Sequence, residues 1–114
     1  MVTNEELEAH FRAINWAIET VMGQDNLPYI VIRDYVIASG SFAGRTCDVA
    51  IQRTSSVPYQ APAAIHTRPI LIPIGQYKTF VSRLGPEWEY WSRLVREQTP
   101  RGMVAHIATV FNEV

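Results

Sequence analysis

The chain has 114 residues, 47% of them apolar, with 10 basic against 11 acidic side chains and a formal net charge of -1. These totals fit a single globular domain over residues 1–114 with one core. With no long run of either charge, there is no electrostatic basis for binding nucleic acid or a membrane surface. No apolar run approaches the roughly 20 residues of a bilayer-crossing helix. The N-terminus lacks the basic start and apolar stretch of a secretory signal, and the single cysteine, Cys47, allows no internal disulfide. A cytoplasmic setting is expected.

Thr3-x-x-Glu6 is a capping box, in which the two residues satisfy each other's free backbone donors. Leu7, Phe11, Ile14, Ile18 and Val21 come next at helical spacing, so the pattern predicts one helix from Thr3 to Met22, ended by Gly23. Trp16 falls at the rim of that stripe. Tyr29 to Ala38 is rich in β-branched and aromatic residues and predicts a strand with both faces covered. Ser39 to Gly44 is a turn, and Arg45 to Arg53 returns as the second arm of an antiparallel hairpin. Cys47, Val49 and Ile51 share its apolar face. That places Cys47 in the core as a small apolar residue; a reactive thiol needs exposure and a positive environment.

A loop leads to a third extended segment, Ala63 to Thr67. The run Arg68 to Gly75 is apolar but broken by Pro69 and Pro73, which cannot donate to a ladder, so it reads as an edge or an extended crossing. Gln76 to Leu84 shows no clear period. Gly85-Pro-Glu-Trp-Glu-Tyr-Trp-Ser-Arg93 then carries two of the three tryptophans. Trp88, Trp91 and Val95 lie at helical spacing, and Glu89 with Arg93 forms a favourable i,i+4 pair. Helix is therefore preferred over Pro86 to Glu97, with a short strand as the alternative. Both tryptophans are expected inside and Tyr90 partly outside. Thr99-Pro100 opens a last helix, with Met103, Ile107, Val110 and Val114 on its inner stripe.

Few other groupings suggest chemistry. His10, His66 and His106 are far apart, and no pair of ligands has metal-site spacing, so neither a metal nor a cofactor is expected. His66 reads as a paired or exposed histidine rather than a catalytic base. The glycines form no phosphate loop, and Ser39, Ser41 and Ser82 lack a nucleophile-elbow setting.

The order of helix, antiparallel meander, proline-bearing crossing, tryptophan segment and terminal helix resembles the ubiquitin-conjugating-enzyme (UBC-like) superfamily. Val57-Pro-Tyr-Gln-Ala-Pro62 is similar to that family's Tyr-Pro-x-x-x-Pro signature. Trp88-x-x-Trp91-Ser-Arg93 is similar to a signature of its bacterial branch, prokaryotic family E, and Thr99-Pro100 resembles the opening of the helix after the active site. The resemblance implies an α+β fold with an N-terminal helix, a meander of three to four strands and C-terminal helices. Pro62, Trp88, Trp91 and Cys47 would be its structural residues. The chain departs from the family where the chemistry lies. Between Pro73 and Trp88 there is no cysteine and no His-Pro-Asn motif, and Leu94 stands where the branch often has histidine. A thioester needs a thiolate nucleophile. The resemblance therefore implies a non-catalytic module that binds a ubiquitin-like protein or an activating enzyme, with Tyr59, Tyr77, Tyr90 and Arg93 as candidate contact residues. Two alternatives stand beside it. One is a divergent conjugating enzyme using Cys47, or a hydroxyl or lysine between Tyr77 and Ser82. The other is a homo-oligomeric structural subunit with the aromatic segment as its interface.

Overall fold

A computed structural model describes residues 3–53, 64–93 and 99–114. Within them the chain is α+β, with helices α1 (Asn4–Ala13) and α2 (Pro100–Asn112) and strands β1 (Ala17–Met22), β2 (Pro28–Val36), β3 (Thr46–Gln52), β4 (Ala64–Arg68), β5 (Thr79–Val81) and β6 (Glu89–Ser92). The strands form one antiparallel sheet in the order β1-β2-β3-β4-β6-β5. The sheet has six strands, not the three to four expected. No helix among the described residues is long and apolar enough to cross a membrane.

The expected helix from Thr3 to Met22 starts as predicted. Thr3 accepts from the Glu6 amide while the Glu6 carboxylate accepts from the Thr3 amide. It ends half-way, however, in a Schellman motif. Asn15 takes the left-handed conformation (φ 66°), its N–H donates to Arg12 O, and the Trp16 N–H donates to Phe11 O. Asparagine tolerates this geometry, and the Trp16 ring packs on Phe11 at 5.1 Å, the apolar contact that accompanies such a cap. The chain then enters β1. Ile18 and Val21 stand at helical spacing, but in a strand they point to opposite faces: Ile18 joins the core under the helices and Val21 the cluster on the other face. Gly23 closes the β1–β2 hairpin instead of capping a helix, its N–H donating to Leu27 O.

Both helices pack on one face of the sheet. Leu7 and Phe11 of α1 and Met103, Ile107, Val110 and Phe111 of α2 cover Ile30, Ile32, Val49, Ile51, Ile65 and Trp91. Thr99 caps α2 by accepting from the Gly102 amide at 2.9 Å, with Pro100 in the first turn where its missing donor costs nothing. Among the described residues, the opposite face is covered only in part, by Leu84 and Trp88 over Tyr29, Val31 and Ala50.

The tryptophan segment is a strand, not the preferred helix over Pro86 to Glu97; residues 94–98 lie outside the described set. Burial alternates along β6, with Glu89 and Trp91 inside and Tyr90 and Ser92 partly open. Glu89 therefore forms no i,i+4 pair with Arg93. It is fully buried, and its Oε1 accepts from the amides of Leu71 (3.1 Å) and Ile72 (3.3 Å), while Oε2 is buried with no hydrogen-bond partner among the described residues. The proline-broken crossing cannot satisfy those amides in a ladder, so a side chain does so. Glu89→Ala is expected to cost about 2 kcal/mol in chemical denaturation, because it orphans two amides. Glu89→Gln, which keeps an acceptor oxygen, should cost clearly less; equal losses would show that volume matters here and the hydrogen bonds do not.

Candidate functional site

The strand register lines up Val31, Ala50, His66, Tyr90 and Phe80 as one row across the face opposite the helices. Leu84 and Trp88 cover one part of that face. The part left open is a cleft of about 340 Å³ between the β1–β2 turn (Asp25, Leu27), the middle of the sheet (Tyr29, His66, Tyr90) and the β5 edge with its exit (Phe80, Val81, Arg83). Leu27, Phe80 and Val81 form an exposed apolar rim.

The polar groups in the cleft are held in fixed positions. The Tyr29 hydroxyl donates to Asp25 Oδ2 at 2.8 Å, and the Leu27 amide donates to Asp25 Oδ1 at 3.1 Å. Burial opposes ionisation of Asp25, but these two donors outweigh it and hold the carboxyl below its ordinary range. Burial and the Asp25 carboxylate together push the Tyr29 phenol up, so it stays a protonated donor. His66 is buried, edge-on to Tyr29 and to Tyr90, each at 5.2 Å. Its Nδ1 lies 2.8 Å from Ser82 Oγ, which already accepts from the Leu84 amide at 3.1 Å. The Ser82 O–H is thus free to donate to Nδ1, an arrangement that leaves the proton on Nε2. Burial lowers the His66 pKa from 6.5 to about 4, against a small opposing pull from Asp25, so the ring is neutral at physiological pH.

This is a serine–histidine pair that sequence spacing did not reveal, since its members are 16 positions apart. Among the described residues the pair lacks the remaining parts of a nucleophilic site. Ser82 is buried, the lowered pKa makes His66 a weak base, and among the described residues no carboxylate bonds its second nitrogen. The cleft can hold a ligand group by hydrogen bonding and aromatic packing. Among the described residues no three His, Cys, Asp or Glu side chains converge as metal ligands.

The same face carries a chain of ion pairs. Asp48 Oδ2 accepts from Arg68 (2.8 Å) and Arg33 (3.0 Å), and Arg33 also pairs with Glu19. Asp48 Oδ1 accepts from the amide of Asp34, in the bulge where β2 loses register with β3. Burial would raise the Asp48 carboxyl, but these donors outweigh it and hold it below its ordinary range. The Arg68 guanidinium lies over the Trp88 ring at 4.5 Å.

The residues singled out from sequence are scattered. Tyr90 lines the cleft. Tyr77 is 65% exposed, and its carbonyl accepts from Arg93 at 2.8 Å. Arg93 also bonds Ser92 O and Glu113, so its guanidinium ties β6 to the Tyr77 turn and to the end of α2. Trp88 and Trp91 are both buried, on opposite faces of the sheet. Tyr59 and Pro62 lie outside the described residues.

Cys47 is 4% exposed in the core under the helices. Burial, aided by the neighbouring Asp48, pushes its thiol up to about 12. Native Cys47 is expected to react with a thiol reagent only as fast as the fold opens. Labelling at the rate of an unfolded control would contradict this placement.

No family model matches the chain, and neither a curated protein nor a solved structure matches it.

Proposed function

We propose that the chain is a UBC-like binding module of a bacterial ubiquitin-like conjugation system, one that docks a ubiquitin-like protein or an activating enzyme and forms no thioester. The UBC-like part is supported by element order: a capped N-terminal helix, four antiparallel strands adjacent in chain order (β1 to β4), a proline-bearing crossing and a terminal helix. Val57 to Pro62 falls between β3 and β4, where the family's signature would lie. Binding rather than catalysis rests on one observation: the chain's only thiol is buried with its pKa pushed up to about 12, and no cysteine stands in the stretch after the crossing. A thiolate nucleophile at neutral pH requires the reverse, exposure and a lowered pKa. The exposed rim of Leu27, Phe80 and Val81 around Tyr90 offers an apolar contact surface on the face away from the helices.

The test is a charging reaction with a ubiquitin-like protein and an activating enzyme of a bacterial conjugation system, run on non-reducing gels with and without Cys47→Ser. The expected result is no adduct, with the partners co-migrating on a sizing column. A thiol-sensitive adduct that disappears in Cys47→Ser would make the chain an enzyme. Neither adduct nor complex would remove the conjugation reading altogether.

A further inference from the structure

We infer that two copies of this chain pair through their β1 edges, antiparallel and centred on Thr20, to continue the sheet across a two-fold axis. Among the described residues β1 is an end strand of the sheet. Two observations establish which of its backbone groups face outward. The Gly23 N–H donates to Leu27 O, so Gly23 and Leu27 form a hydrogen-bonded pair in the β1–β2 register. Met22 stands opposite Pro28, which has no N–H, and the Pro28 carbonyl is taken by Arg53 on the β3 side. In an antiparallel pair, bonding alternates residue by residue. Ala17, Glu19 and Val21 therefore bond β2, and the amides and carbonyls of Ile18, Thr20 and Met22 point away from the sheet. Among the described residues nothing takes them up.

An open edge of this kind is usually guarded by lysine, proline, a bulge or an inward charge. β1 contains no lysine and no proline, and it runs against β2 in unbroken register. Its single charge, Glu19, is engaged by Arg33 within the sheet. Met22 is 59% exposed at the end of the strand.

The sequence of the strand favours a second copy over a foreign strand because it is self-complementary. A two-fold axis at Thr20 sets each outward-bonding residue opposite another: Ile18 faces Met22 of the second copy, Thr20 faces Thr20, and Met22 faces Ile18. Both apolar pairs and the threonine pair are favourable cross-strand neighbours. On the other face of the ribbon, Glu19 stands opposite Val21, so no like charges meet directly. Any register shift by two residues loses one of these pairs. A six-residue ribbon buries much less than the roughly 800 Å² per partner of a standard stable interface. The dimer is accordingly weak and forms as concentration rises.

Sedimentation velocity on the full chain, from about 10 μM to about 1 mM, spans the range in which such an association is visible. The wild type should move from monomer to dimer across it. Thr20→Pro removes an outward N–H and no β1–β2 hydrogen bond, at an edge position where proline is tolerated, and should weaken association at least roughly tenfold with an unchanged circular dichroism spectrum. Thr20→Lys sets two lysines against each other on the axis and should do the same without touching the backbone. A monomer at every concentration overturns the pairing and leaves the edge to a foreign strand. A dimer that persists in both variants overturns it as well, by placing the interface elsewhere.

Discussion

Trp91→Ala is expected to lower the unfolding free energy by about 3–5 kcal/mol, the range for truncating a large aromatic in a closed core. Trp91 is fully buried in β6, where it joins the strands to α2 through an edge contact with Phe111 at 5.8 Å. Its indole N–H donates to Thr67 Oγ1 at 2.8 Å, so the one polar atom of the ring is satisfied without water. Two variants separate packing from polarity. Thr67→Val keeps the volume near the ring but orphans the N–H, at a cost of about 1–3 kcal/mol. Tyr90→Ala, on the partly open side of the same strand, should cost less than Trp91→Ala. A Trp91→Ala loss below that of Tyr90→Ala in urea unfolding would mean that the core does not close around the indole.

Acid should weaken the fold through His66 by up to about 3 kcal/mol, the linkage value of a displacement from 6.5 to about 4. The folded state holds the ring neutral because protonation would place a charge in a buried aromatic setting, whereas the unfolded chain binds the proton freely. A folded pKa below the unfolded one means that the unfolded state takes up more protons in the interval between them. Stability is therefore at its plateau above pH 6.5, falls as pH drops from 6.5 towards 4, and gains no further slope from this group below that. Asp25, Tyr29 and Arg83 face the same cleft. Of these, Asp25 titrates at the acid end with the same sign, since its carboxyl is also held low. Comparing wild type with His66→Gln in urea at a series of pH values isolates the histidine. The variant should lose the slope between about pH 6.5 and about pH 4. Parallel acid limbs in the two proteins would assign the slope to other groups.

The elements legible in the sequence are those whose cause is local. The capping box at Thr3 and Glu6 and the Thr99-Pro100 start of α2 are satisfied within three residues. β2 and β3 announce themselves by β-branched runs around a glycine turn, and the proline-broken crossing has no ladder. Cys47 falls on the core face as period two requires. One local signal points the wrong way when read by spacing alone: Asn15 then Trp16, four and five residues after Phe11, marks a Schellman stop, and without it Ile18 and Val21 extend a helix that has already ended. Trp88 and Trp91 mislead in the same way, because two rings at helical spacing also suit a strand that serves both faces.

The site was hidden for a different reason. His66 meets Ser82 across 16 positions, Glu89 reaches Leu71 and Ile72 across 18 and 17, and Asp48 gathers Arg33 and Arg68 from two other strands. None of these contacts has a spacing that secondary-structure geometry would set, because each depends on which strands become neighbours. The chain by itself determined its two caps, its central hairpin and the inward position of its only thiol, since those arise from backbone geometry over a few residues. The insertion of β6 between β4 and β5 was decided only in three dimensions. That insertion sets Tyr90 beside His66, turns Glu89 inward to the crossing's amides and opens the cleft, because a sheet's strand order is chosen by the burial of whole faces and not by any local run of residues.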